Sequence, residues 1–311
     1  NLPVVGSGWY STYSYGLSIF LEKTMKYVLC KPRGGLNDIL CEVEKCWRYA
    51  EKHNRYLLID STDSGLHDNF WKYFDTRLPA VIKAMPKYNE LNNLTCHPSA
   101  VAGELDSYIS KYSSMHSNFI EEVSKRKLTF NHNAEYTEEV LVHEQCWEGE
   151  FLSIFCLDGL VFKPEVQEYI KNKIKNLGSY VGLHIRNTDY KMDYQYLFTK
   201  MKEEVKGKKI VLCSDDFKMF DEAKKWLPDN EIIRLSTFKD NDGSPLHHMH
   251  HEDQYQMNLD VLTDLIALAK SKKIYFGNVN NLQKFSGFSM LAYCLQENPT
   301  ILHKLLNSNA W

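Results

Sequence analysis

The chain has 311 residues and carries 37 Lys and Arg against 40 Asp and Glu, a net charge of −3. Hydrophobic residues make up 43% and charged residues 25%, which excludes intrinsic disorder and a collagen-like chain, and the balance of signs excludes the electrostatic footprint of a general nucleic-acid binder. At roughly 100–200 residues per domain, the length suits two domains or one large α/β unit.

Residues 1–24 are rich in Ser, Tyr and Gly and lack the basic start of a signal peptide, so they read as an appendage to a body that begins near Met25. Tyr27 to Cys30 is a short apolar run ended by Pro32, Gly34 and Gly35, a buried strand followed by a turn. Leu36, Ile39, Leu40, Val43, Cys46, Trp47 and Ala50 then recur at three- and four-residue steps. That spacing predicts an amphipathic helix with Glu42, Glu44, Lys45, Arg48 and Lys52 facing water, and with Asn37 or Asp38 at the start where backbone N–H groups need partners. Tyr56 to Asp60 reads as a second buried strand. Strand, glycine turn, helix and strand within about 35 residues form a βαβ unit, the first half of a Rossmann-like domain with a parallel sheet.

Residues 65–160 break the periodicity with aromatics, Pro79, Pro86 and Pro98, and read as helices and loops. From Glu165 the α/β rhythm returns: a helix to Leu177 with Gly178 as its C-cap, then a strand from Tyr180 to Ile185. A helix over 193–206, a strand over 209–213, a helix over 216–226 and a strand over 231–235 come next. After a polar loop from Thr237 to about His251 follow a helix over 256–270, a strand over 273–276 and a helix over 286–296. This is a second Rossmann-like domain, and the organisation is therefore 25–164 plus 165–311.

Ligands in such folds bind at the carboxyl ends of the strands, so the informative residues should lie just after strands. The first group is Arg33-Gly34-Gly35-Leu36-Asn37-Asp38, where paired glycines let backbone approach a ligand at a helix N-terminus. Neither a dinucleotide-binding G-x-G-x-x-G nor a P-loop is present. The second group is His184, Arg186, Asn187, Thr188 and Asp189: His184 and Arg186 share a strand face, and a guanidinium ending a buried strand calls for an anion such as phosphate. The third, Ser214-Asp215-Asp216, ends a strand where an N-cap is also expected; the fourth, Ser286-Gly287-Phe288-Ser289, opens a helix suited to phosphate. His247, His248, His250, His251, Glu252 and Asp253 offer zinc-ligand types but no distant partner spacing, and read as a polar loop that closes over substrate. The eight cysteines contain no C-x-x-C and read as buried thiols of a reducing, cytoplasmic compartment, and no apolar run is long enough for a transmembrane segment. Aromatic residues, 13% of the chain, are assigned to packing or to stacking on sugar and base faces.

Three of these stretches together resemble the fucosyltransferase-like superfamily of inverting GT-B glycosyltransferases, which includes the nodulation and core α1,6-fucosyltransferases. They are Gly34-Gly35-Leu36-Asn37, His184-Ile185-Arg186-Asn187-Thr188-Asp189, similar to the family's His-x-Arg-x-x-Asp, and Phe285-Ser286-Gly287-Phe288-Ser289. The resemblance spans about residues 26–295. It implies two Rossmann-like domains facing a cleft, an N-terminal acceptor side and a C-terminal donor side. It further implies Arg186 on the diphosphate of a nucleotide sugar, with Ser286, Phe288 and Ser289 on phosphate or ribose and Asp189 or Asp193 around the reacting hydroxyl, ahead of Asp38. No metal cofactor is implied, because arginine takes that role on the leaving group. Asn187 stands where core-fucosylating members often carry a second Arg, so GDP-fucose is the parent expectation beside other nucleotide sugars such as UDP-xylose. Two other classes stay open: a nucleotide- or carbohydrate-binding protein without turnover, and a metal-dependent hydrolase built on His247 to Asp253. Acceptor, linkage and oligomeric state are not legible.

Overall fold

In chain order the first half contains β1 (Tyr27–Cys30), α1 (Leu36–Lys52), β2 (Tyr56–Ile59), β3 (Phe74–Asp75), α2 (Tyr88–Leu91), β4 (Cys96–His97), β5 (Lys111–Tyr112), β6 (Asn118–Phe119), β7 (Val140–His143), α3 (Leu152–Asp158) and β8 (Val161–Phe162). The second half contains α4 (Pro164–Ile174), β9 (Val181–Ile185), α5 (Tyr194–Val205), β10 (Lys209–Ser214), α6 (Met219–Trp226), β11 (Glu231–Ile233), α7 (Gln254–Lys270), β12 (Ile274–Tyr275), α8 (Gly287–Glu297) and α9 (Pro299–Leu305). This computed structural model describes residues 25–76, 78, 80–113, 117–146, 151–238, 243–246, 252–279 and 284–307. The appendage expected at 1–24 and the histidines at 247–251 lie outside them.

Two four-stranded parallel sheets organise the chain, in the orders β2-β1-β7-β4 and β11-β10-β9-β12. In β1 the alternation of side chains sends Val28 and Cys30 to one face and Tyr27 and Leu29 to the other. Leu57 and Ile59 of β2 and Leu141 of β7 join the first face, while Leu58, Val140 and Val142 join the second. The second sheet divides in the same way, with Val211 and Cys213 on one face and Ile210 and Leu212 on the other. One core cluster collects the first set from both sheets together with α1, α3, α7 and α8, and each sheet has its own cluster on the opposite face.

The α1 stripe packs as its spacing predicts: Ile39, Leu40, Val43, Cys46 and Ala50 are fully buried, each large side chain contributing roughly 1.5–3 kcal/mol relative to exposure. The far side of the helix departs from expectation. Glu42 and Glu44 are buried instead of facing water, Glu42 against His143 of β7 and Glu44 where α3 packs on α1. Glu44 accepts Arg48 Nε at 2.6 Å, and Glu42 meets His143. The helix starts at Leu36 with Gly35 as N-cap, one turn ahead of Asp38, whose carboxylate accepts the Gly35 N–H at 3.3 Å.

The middle of the chain corrects the reading of residues 65–160 as helices and loops. Five short strands lie there among the described residues, and β7 is an inner strand of the first sheet, paired in parallel with both β1 and β4. Elsewhere the departures are at element ends. The helix expected to reach Leu177 stops at Ile174, and Gly178 takes a left-handed φ of 68° in the link to β9. The helix expected from 216 begins at Met219, with Asp216 bracing the turn before it by accepting Lys218 N–H at 2.9 Å. No helix among the described residues is long and apolar enough to cross a membrane.

Candidate active site

The C-terminal ends of β9 and β10 and the start of α8 bring one cluster together. His184, the fourth residue of β9, is buried and its Nδ1 lies 2.6 Å from Ser289 Oγ. Burial, reinforced by the Arg186 charge, pushes its imidazole down to about 3, so it is neutral at physiological pH. The Phe288 ring covers it at 5.2 Å between centroids. Ser289 is fully enclosed, and Ser286, at the N-cap of α8, has a buried hydroxyl without a hydrogen-bond partner.

Arg186 leaves β9 and holds its guanidinium over the Tyr190 ring, 5.5 Å from the centroid. Its Nη2 donates to both oxygens of Asp189, at 2.8 and 3.0 Å, and its Nε stands 3.7 Å from Asp215 Oδ2. Asp215 is in turn fixed by the Asn187 N–H at 2.8 Å and the Thr188 hydroxyl at 2.6 Å. Burial raises the Asp215 carboxyl against these hydrogen bonds and the Arg186 charge. Asn187 Nδ2 donates to Asp216 at 2.7 Å, and Ser214 Oγ accepts the Asp216 N–H at 3.1 Å. The loops after β9 and β10 are thus cross-braced, and the braces terminate on one arginine.

The first sheet presents its glycine turn to this cluster. Gly34 has a φ of +81°, and a Cβ there would stand 2.6 Å from Cys146 Sγ and 2.7 Å from Asp38 Oδ2, so only glycine fits. Gly35 is different: its backbone is extended, and a Cβ would meet nothing within 4 Å. Asn37 is buried, accepts the Ser153 hydroxyl at 2.7 Å and packs on Gly287, where a Cβ would lie 2.9 Å from its Nδ2. Asn37 and Gly287 therefore join the start of α1 to the start of α8. Burial raises Asp38 from 3.8 to about 7, with the Gly35 N–H and the Arg186 charge opposing. The Arg186 field reaching Asp38 places the two sheet edges against each other.

Asp193 stands apart. It caps α5 by accepting the Tyr196 N–H at 3.0 Å, and it opens on a cavity of about 510 Å³ lined also by Tyr196, Lys200, Gly277, Asn278 and Phe285. That volume suits a small ligand, but neither Arg186 nor Ser289 forms part of its wall. Asp253 likewise caps a helix, accepting the Gln256 N–H at the start of α7.

The sequence reading missed a second charged nest at the C-terminal ends of β1 and β7. Glu144 is fully buried and accepts Arg33 Nε at 2.8 Å, Ser110 Oγ at 2.8 Å, Asn118 Nδ2 at 2.7 Å and the Tyr108 hydroxyl. Lys31 is buried over the Tyr108 ring at 4.7 Å. Lys31 and Arg33 flank Pro32 directly after the first strand, which was a usable signal; Glu144 sits in the stretch whose strand went unread. Arg33 is held by Glu144 and Asp63 as Arg186 is by Asp189 and Asp215, so each sheet edge carries an arginine paired with two carboxylates.

Two parallel α/β sheets, helices between and outside them, and facing C-terminal edges define the GT-B class of two Rossmann-like units. Solved structures have this fold over most of their length. The fucosyltransferase NodZ from Bradyrhizobium superposes with a TM-score of 0.59 at 17% identity, covering 87% of this chain and 93% of that one. NodZ α-1,6-fucosyltransferase co-crystallised with GDP gives 0.59 at 18% identity (87% and 92%), and the form soaked with GDP-fucose gives 0.58 at 18% (87% and 92%). The fold agrees with the resemblance read from the three motifs. No family model and no curated protein matches the sequence.

Proposed function

We propose that the protein is a glycosyltransferase that moves a sugar, with inversion, from a nucleoside diphosphate to a glycan hydroxyl. The observation that carries this reading is Arg186, a guanidinium braced by Asp189 and Asp215 at the end of β9, two residues after His184, which meets Ser289 at the start of α8. In this reading the donor diphosphate replaces Asp189 on Arg186 and accepts the unpartnered Ser286 hydroxyl at the α8 N-terminus, where the helix dipole favours negative charge. Neutral His184 holds Ser289 without adding charge of its own. As the bond to the anomeric carbon breaks, Arg186 and the helix terminus stabilise the charge that collects on the departing diphosphate.

The acceptor hydroxyl must lose a proton as it attacks. Asp193 caps α5 and Asp189 stands beside Arg186 on the donor side, whereas Asp38, at the glycine turn of the first sheet and raised to about 7, is the carboxyl poised to take a proton near neutral pH. We therefore assign proton acceptance to Asp38, with the open space before Gly35 as the route by which the substrates approach. Residues 25–164 serve the acceptor and residues 165–311 the donor. GDP-fucose is the first donor to try, since related folds were solved with GDP and GDP-fucose. Six of the eight cysteines are buried, which supports a reducing, cytoplasmic setting.

Thermal unfolding in the presence of GDP, UDP and their sugar conjugates, followed by donor turnover against glycan acceptors, tests the proposal. Selective stabilisation by one nucleotide with turnover supports it, and the selected nucleotide fixes the donor. Stabilisation with no turnover on any acceptor favours the non-catalytic binder instead.

A further inference from the structure

A second cluster of reactive side chains lies between α1 and the first sheet, and none of its residues takes part in the sugar-transfer reading. Cys46 projects from α1 toward the first sheet, and His143 ends β7 on the same face as Leu141. His132 comes from the segment just before β7, its ring stacked on Phe130 at 4.3 Å and perpendicular to His143 at 5.1 Å. One donor atom from each of Cys46, His132 and His143 lies within 4.8 Å of the other two. Glu42, one turn before Cys46 on α1, reaches His143 Nε2 with Oε2. Cys46, His143 and Glu42 are fully buried, while His132 is partly exposed.

We propose that these residues form a structural zinc site, with Cys46, His132 and His143 as ligands and Glu42 as the fourth. A thiolate, two imidazoles and a carboxylate are a donor set suited to tetrahedral zinc. With bonds of about 2.0–2.3 Å, tetrahedral ligand atoms stand roughly 3.3–3.8 Å apart, so on loading Cys46, His132 and His143 draw together while the Glu42–His143 contact opens to admit the ion. Two buried atoms point to something more than an ion pair. Glu42 Oε1 and His132 Nε2 both lack a hydrogen-bond partner, and leaving a buried carboxylate oxygen unmatched is unfavourable. A Glu42–His143 pair accounts for neither orphan, nor for the thiol beside them; a dication accounts for all three.

The second shell fits as well. Thr129 Oγ1 lies 2.6 Å from His143 Nδ1, which fixes that ring and leaves Nε2 directed at Glu42 and the cluster. Loading requires that hydrated zinc shed water, that the Cys46 thiol release its proton, and that the proton shared by His143 and Glu42 leave to solvent. The partly exposed His132 marks the way in. The site ties α1, β7 and the 129–132 segment together, three pieces that share no spacing in the chain.

The test uses the full chain, purified under reducing conditions without chelator. Elemental analysis should find about one zinc per chain, and cobalt added to chelator-treated protein should give the thiolate-to-cobalt charge-transfer band of tetrahedral cobalt–thiolate coordination. That band separates this site from binding by the histidine-rich stretch at 247–251 alone, whose sequence contains no cysteine. Cys46→Ser should abolish the band. His132→Gln, at a partly exposed position, should unfold at the wild-type temperature without metal yet bind cobalt at least about tenfold more weakly. Folded wild-type protein without zinc and without the band would overturn the proposal, as would either variant retaining wild-type metal affinity.

Discussion

Asp38→Asn is expected to remove a pH-dependent penalty that the native carboxyl imposes on the fold. In the folded protein burial holds the carboxyl up near 7, against 3.8 for an ordinary aspartate. Between those values the folded chain keeps a proton that the unfolded chain has released, so stability falls as the pH rises from about 4 to 7. Each pH unit in that window corresponds to about 1.4 kcal/mol, which makes the full effect roughly 4 kcal/mol; partial contact with water brings the expected value to roughly 2–4 kcal/mol. His184 acts in the opposite sense. Its imidazole is depressed to about 3, so stability is lost as the pH falls through the range from about 6.5 to 3. The two trends offset one another in the wild type over much of the acidic range. The informative quantity is therefore the difference between wild type and variant, measured by urea unfolding at intervals from pH 4 to 8. The Asn variant should gain on the wild type by roughly 2–4 kcal/mol between pH 4 and 7.5. The same comparison in an Arg186→Ala background should show a larger gain extending to higher pH, because the cation that lowers the Asp38 carboxyl is gone. Parallel curves for wild type and Asp38→Asn would refute the burial of this carboxyl. Identical gains in the two backgrounds would refute the apposition of the two sheet edges.

Three further outcomes are expected. Arg186→Ala should lose nucleotide-induced thermal stabilisation and reduce transfer by about 100-fold or more, with the fold intact by circular dichroism; near-wild-type turnover would remove Arg186 from the donor site. Gly34→Ala should cost about 2–4 kcal/mol in denaturant unfolding, combining a left-handed φ with a clash against Cys146. Gly35→Ala, with open space before it, should fold normally and instead raise KM. His184 should show no imidazole titration by NMR between pH 5 and 8, in contrast to an exposed histidine.

The parts of the fold that were legible are those in which one physical pattern acts alone. The β1–α1–β2 unit shows an apolar run, a glycine turn and a 3.6-residue stripe without interruption, and every residue of that stripe is buried. Strand β7 escaped notice because Val140 to His143 is a four-residue run inside a polar, aromatic stretch, and short apolar runs do not distinguish strand from helix. The burial of Glu42 and Glu44 was illegible for another reason: His143, which meets Glu42, and α3, which packs on α1 near Glu44, lie more than 100 positions further along. At the candidate site, His184, Arg186 and Ser289 could be proposed from their places after a strand and at a helix start. The braces among Asn187, Thr188, Asp215 and Asp216 could not, since each spans two loops. Nor could Cys46, His132 and His143, whose separations follow no metal-binding spacing.

The shared core formed by α8 with the first half of the chain bears on how the protein is made. Leu291, Ala292, Leu295 and Leu305 belong to the same buried cluster as Val28, Leu40 and Leu157. During synthesis the segment containing β1, α1 and α3 emerges from the ribosome long before the helices that seal it, and its apolar flank waits uncovered while about 130 further residues are added. Emergence of α7, α8 and α9, rather than formation of the first sheet, is therefore what closes this core.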